Sequence, residues 1–208
     1  MVDTIMAMPA GTVALVVRGK KSPSDEPGLL EQHADCILPD GSPIGFYGTG
    51  NDQSGNSIGL RMDGEVWDFA ILSSRRVMYV DFASAVGYGA ISTTLFVEVT
   101  AAQAKAFTAS WATMRTSPGS FNIVGDNCST HASKAFIEAG ILKGGIPGLD
   151  TPDNLYKQLV KQLPGKTRSM SGYIGFIPKP GGGFDIKFRE YVKAPTTAVA
   201  ADRSWSSF

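Results

Sequence analysis

The chain has 208 residues, enough for one domain with a sizeable core. Lys plus Arg and Asp plus Glu both number 19, so the formal charge is zero; neither a basic surplus suited to nucleic acid nor an acidic block is present. The 24 glycines and 12 prolines argue for many turns rather than a helical bundle, and two cysteines make no disulfide framework.

The apolar N-terminus, MVDTIMAMPAGTVALVV, lacks a basic leader region and carries Asp3 and Pro9, so it is not read as a secretory signal. No run approaches the roughly 18 apolar residues of a membrane span. The expectation is a soluble chain made in the cytoplasm, without membrane insertion. Thr12–Arg18 (TVALVVR) predicts a buried strand, and the polar stretch after it a loop. Gln32–Leu38 and Pro43–Tyr47 flank Pro39-Asp40-Gly41-Ser42, a strong hairpin signal. On the first of these strands His33, Asp35 and Ile37 share one face, and Ala34, Cys36 and Leu38 the other.

Gly48–Asn56 reads as a loop. Ile58–Met62 and Glu65–Ala70 predict a second hairpin around Asp63-Gly64, and Arg76–Phe82 and Thr93–Val99 two further strands. Thr100 caps a helix predicted over Ala101–Arg115, ended by Ser117-Pro118-Gly119. A second amphipathic helix follows Cys128, with Asp126 and Asn127 as N-cap types and Gly140 as its stop. Lys143–Gly148 lacks the Gly-Lys-Ser/Thr ending of a phosphate loop. Thr151 caps a third helix, Pro152–Leu163, with proline at its first position. Tyr173–Ile177 and Phe184–Tyr191 predict a closing hairpin. Residues 1–194 form one domain in this reading, and 195–208 an Ala/Thr/Ser-rich tail expected to be mobile unless Trp205 and Phe208 dock it. The class is α+β: antiparallel strands packed against the cysteine helix and one or two others.

Cys128 falls in the first turn of its helix, where unpaired N–H groups and the helix dipole favour an anion. Such placement beside an imidazolium pulls a thiol from about 8.5 towards roughly 3.5–7.5 and makes it a nucleophile. The base must then be one of two histidines. His131, three residues on, would stand beside the sulfur and leave little room for substrate; it reads as packing the helix against the sheet. His33, on a separate rigid strand, can face the thiol across a cleft and is preferred. Cys36 is read as core. Asp35 shares the face of His33, but at the usual ~7 Å between alternate strand residues it is a weak orienter; Tyr47, Thr49 and Asp52 stand equally open. No Cys-x₂₋₄-Cys or His-x₃₋₅-His pair exists for zinc, so no metal or cofactor is expected.

Phe121-Asn122-Ile123-Val124-Gly125-Asp126-Asn127-Cys128 resembles the aromatic-Asn-two-apolar…Asn-Cys signature of circularly permuted papain-like cysteine hydrolases. That group includes permuted NlpC-type enzymes, lecithin:retinol acyltransferase-like proteins and desumoylating-type peptidases. His33–Leu38 with Asp40-Gly41 is similar to the family's histidine strand and turn, which likewise precede the cysteine helix. The resemblance implies a permuted papain-like fold, Cys128 as nucleophile and His33 as base. Asn122, Asp35 and Asn127 are the oxyanion or orienting candidates, Asn122 through the family's motif. Where the family often carries a third polar residue, on the strand after the histidine, this chain has Ile44-Gly45-Phe46. The Thr151-Pro152 start resembles bacterial members, some of which are toxins. The implied activity is a thiol amidase or peptidase, acting on a peptide or peptidoglycan. As an interbacterial effector it would be exported by a dedicated system into a rival's periplasm and matched by a cognate immunity protein. The alternatives are a lipid acyl hydrolase or acyltransferase with the same dyad, or a non-catalytic binding module on this scaffold.

Overall fold

Thr12–Arg18 (β2) is buried at all seven positions, which a strand achieves only when both faces of its sheet are covered. Val13, Leu15 and Val17 point into one core, and Ala14 and Val16 into another. The computed structural model describes residues 2–28, 32–52, 61–122, 125–144 and 151–192. The other strands are β1 (Thr4–Ala7), β3 (His33–Ile37), β4 (Pro43–Asp52), β5 (Arg61–Asp68), β6 (Ser92–Glu98), β7 (Ser120–Asn122), β8 (Thr167–Pro178) and β9 (Phe184–Glu190). Among the described residues these nine strands make one antiparallel sheet in the order β1-β9-β8-β6-β2-β3-β4-β5-β7.

Three helices cover the first face: α3 (Ala101–Thr116), α4 (Cys128–Glu138) and α5 (Pro152–Gln162). Phe107, Trp111, Phe136, Leu155 and Leu159 bury their side chains there completely. The second face is covered by two short helices, α1 (Phe69–Arg75) and α2 (Phe82–Gly87), joined through a 3₁₀ turn at Val77–Tyr79. Leu72, Val80 and Trp67 pack there with Phe96, Ile174 and Phe176. The molecule is therefore α+β with an antiparallel sheet, as expected, but its helices lie on both faces.

Three expectations are corrected. Arg76–Phe82 is not a strand: the side chains of Asp68 and Asp81 accept from backbone N–H groups at the starts of α1 and α2, and the chain coils between them. Val80 and Tyr79 serve the second core instead, with Val80 only 2% exposed, while Val77 is exposed. Asp63-Gly64 is not a turn but lies inside β5, opposite Gly48. A Cβ on Gly64 would come within 2.3 Å of the Phe46 ring, so this glycine provides space rather than a bend. The strand before it extends further than read, with β4 reaching Asp52 through an irregularity after Gly48. Strands β1 and β7 and helices α1 and α2 had no expected counterpart, and Phe69 and Ala70, expected to end a strand, begin α1. The expectations for Ile58–Leu60, for most of the Lys143–Gly148 loop and for the tail from 195 lie outside the described residues.

Candidate functional site

Strand β3 pairs with β4 only through Asp35, Cys36 and Ile37, so His33 and Ala34 extend beyond that ladder. The start of α4 meets them there. The Ala34 N–H donates to Cys128 Sγ at 3.4 Å. Asn127 caps α4 as predicted, its side-chain oxygen accepting from the Ser129 and Thr130 N–H groups, both at 3.0 Å. Cys128 is thus the first helical residue, whose N–H has no partner within the helix. Upstream, the Asn122 N–H donates to Asp126 O at 2.7 Å and closes the turn that delivers the helix. After the C-cap Ala139, Gly140 turns the chain with φ 64°.

The structure brings Cys128, His33 and Asp35 together. His33 Nε2 hydrogen-bonds Asp35 Oδ1 at 2.9 Å, leaving Nδ1 as the ring nitrogen for the sulfur. The distance argument against Asp35 fails because an imidazole is long enough to span the gap between alternate residues. The carboxylate is itself held: Tyr47 Oη donates to Oδ1 at 2.6 Å and Arg18 Nε to Oδ2 at 2.8 Å. Arg18 also donates to Tyr79 O at 3.0 Å and lies over the Tyr79 ring, 4.6 Å from its centre. The His33 ring stacks on Tyr47 at 4.2 Å, and Tyr47 on Trp67 at 4.1 Å. Arg18 and Tyr79 were missed by sequence reasoning. Arg18 ends a strand whose other residues are apolar or small, a signal that a buried charge needs a partner.

Gly45 explains why β4 carries no third polar side chain at that level. It sits directly opposite Asp35, and a Cβ there would fall 2.2 Å from Asp35 Oδ1. The carboxylate on β3 fills the space that a side chain on β4 would occupy.

The charges reinforce one another. Burial disfavours a charged His33, but the charges of Cys128 and Asp35 and hydrogen bonds to both raise it well above the ordinary imidazole value. Burial likewise pushes the Cys128 thiol up, yet the imidazolium and the Ala34 N–H outweigh it, and the thiol lies below its usual value. Asp35, against its own burial, is held at about 2 by His33, Arg18 and Tyr47. The arrangement favours a thiolate–imidazolium pair braced by a carboxylate, and such a pair can attack a carbonyl and protonate a leaving group. Cys36 is the contrast: fully buried, with burial and the Asp35 charge pushing its thiol well up.

His131 is turned away from this network. It stacks on Phe46 with 3.4 Å between ring centres, its two nitrogens each 3.2 Å from the Asn127 and Pro118 carbonyls. Burial lowers its pKa, so the neutral ring donates to one of them. It packs α4 against the sheet, as its position suggested. Thr49 lies on β4 with its hydroxyl buried and without a partner, and the side chain of Asp52 lies outside the described residues.

Beside His33 a cleft of about 350 Å³ is walled by Tyr47, Met62, Trp67, Arg76, Tyr79 and Phe121. Cys128 is 7% exposed and does not line it, whereas His33 does. The residue before His33 is anchored from α5: Gln32 Oε1 accepts from the Asp153 N–H at 3.0 Å, and the Asp153 carboxylate takes the buried Lys20 ammonium at 2.7 Å. Among the described residues no group of three or more His, Cys, Asp or Glu side chains is placed to hold a metal ion, and no helix is long and apolar enough to cross a membrane. Comparisons with protein-family models, curated proteins and solved structures found no match.

Proposed function

We propose that the protein is a cysteine hydrolase that cleaves amide bonds through Cys128, His33 and Asp35, on a permuted papain-like scaffold. One observation carries this reading: a helix-start cysteine whose sulfur accepts an N–H from the strand that also presents a carboxylate-braced histidine. The order of histidine strand before cysteine helix, within an antiparallel α+β fold, supports the permuted arrangement.

In the proposed reaction the Cys128 thiolate attacks the substrate carbonyl carbon. The carbonyl π electrons move to oxygen, which the Cys128 N–H at the positive end of α4 stabilises. Collapse expels the amine, which takes its proton from His33 Nδ1, and leaves a thioester. Neutral His33 then accepts a proton from water as that water attacks the thioester. The sulfur departs as thiolate beside the restored imidazolium. Asp35 keeps the ring oriented throughout, because it accepts from Nε2 in both charge states.

Cell-wall stem peptides are the proposed substrate, and delivery into a rival bacterium the proposed setting; both rest on likeness to the family's bacterial members. Digestion of purified muropeptides tests the substrate. Wild type is expected to release peptide fragments and Cys128→Ala none; equal inertness of both would remove this substrate.

A further inference from the structure

Among its described lining residues the cleft beside His33 carries one permanent cation, Arg76, and no carboxylate; the others are Gln32, His33, Tyr47, Gly48, Met62, Trp67, Tyr79 and Phe121. Most of the wall's polar groups are engaged elsewhere. Tyr47 Oη donates to Asp35, Trp67 Nε1 donates to Glu65 at 2.9 Å, and the Gln32 amide is bonded to Gly28 O and the Asp153 N–H. The guanidinium of Arg76 is exposed and has no ion pair among the described residues, whereas its neighbour Arg75 pairs with Glu65 and lies over Trp67. The backbone of Arg76 is fixed, its N–H closing α1 on Leu72 O at 2.8 Å.

A small cleft walled by aromatic rings and polar groups, with a planar, bidentate donor that has no ion pair among the described residues, is suited to a carboxylate flanked by an apolar or aromatic group. We infer that Arg76 is a specificity residue that binds a carboxylate of the substrate, so that the cleft takes acidic peptides whose free carboxyl group lies next to an apolar side chain. The inference rests on the cleavage reading above for its meaning as a substrate site. A single guanidinium beside stacked aromatic rings fits a peptide carboxylate better than a phosphate dianion, which recruits several donors. Gly48, at the cleft wall, keeps the groove open between Met62 and Phe121: a Cβ there would lie 3.1–3.2 Å from their side chains.

Binding to the Cys128→Ala protein isolates the cleft from any thiol chemistry. N-acetylglycyl-phenylalanine with a free C-terminus and the same dipeptide as its C-terminal amide are titrated and followed by NMR chemical shifts. The free acid is expected to bind about fivefold more tightly, the upper range for a solvent-facing ion pair. Adding Arg76→Gln is expected to erase the preference, Arg76→Lys to keep part of it, and Arg75→Gln to leave it intact. Equal binding of the two dipeptides, binding of neither, or a preference that survives Arg76→Gln would overturn the inference. The cleavage reading fails separately, if the wild-type thiol shows no dependence on His33.

Discussion

Asp35 is the residue on which the site's geometry converges, because it accepts from His33, Tyr47 and Arg18 while fully buried. Removing one partner of a buried pair leaves an uncompensated charge, so Arg18→Met is expected to cost about 3–5 kcal/mol in urea unfolding. Asp35→Asn removes that charge as well and should lose the raised His33 value: in an NMR titration the ring is expected to release its proton at lower pH than in wild type. Tyr47→Phe deletes one donor to the carboxylate and should move His33 less than Asp35→Asn does. The pairing of chemistry with burial also explains why Asp35 was undervalued from the sequence. Spacing along a strand gives the distance between backbone positions, not how far an imidazole reaches. The position of Gly45 was equally opaque, since a glycine that makes room for a carboxylate reads like any other glycine.

Helix α4 and strand β3 were legible because each is marked by local chemistry: an Asn cap before Cys128, alternation through His33–Ile37, and an Asp-Gly turn after it. The second helical layer was not, because RVMYVDF carries strand-type residues and only the capping aspartates, Asp68 and Asp81, show that the chain coils there. The Asp-Gly pair at 63–64 misled for a related reason: the same dipeptide serves a turn or a place where a ring crosses the backbone, and here Phe46 decides. At this scale Asn127→Ala removes the cap of α4 and is expected to cost about 1 kcal/mol. It should also slow Cys128 alkylation, since the helix start positions the sulfur. Gly45→Ala forces a methyl group into the Asp35 carboxylate. It is expected to cost about 1–3 kcal/mol by overpacking and to slow alkylation more than Asn127→Ala does. An unchanged alkylation rate in Gly45→Ala would mean that Asp35 does not support His33.

For the whole molecule, the sheet with helices on both faces places Cys128, from the first core, and His33, which stacks on Tyr47 of the second, at the strand end where β3 outruns β4. That meeting depends on the full topology and no local pattern contains it; the sequence supplied the participants, and the fold their contact. Stability should follow the same groups. Asp35 is held near 2 in the folded protein and titrates near 3.8 when free, so its contribution is present above about pH 4 and lost as pH falls through about 2, measurable by urea unfolding along that series. His33, raised by folding, stabilises fully below its unfolded value near ~6.5 and loses that contribution as pH rises through its folded value. Cys128, lowered by folding, contributes above the ordinary thiol value and loses that contribution as pH falls through its folded one. Between the two folded values the thiolate–imidazolium pair persists. The most direct test is the rate of Cys128 alkylation by iodoacetamide as a function of pH, in wild type and His33→Asn, with modified residues located by mass spectrometry. The account predicts a wild-type reactive limb on the acid side of the free-thiol value near ~8.5, a shift of that limb to higher pH in His33→Asn, and an unreactive Cys36. A Cys128 that titrates like a free thiol in both proteins, or that reacts no faster than Cys36, would contradict it.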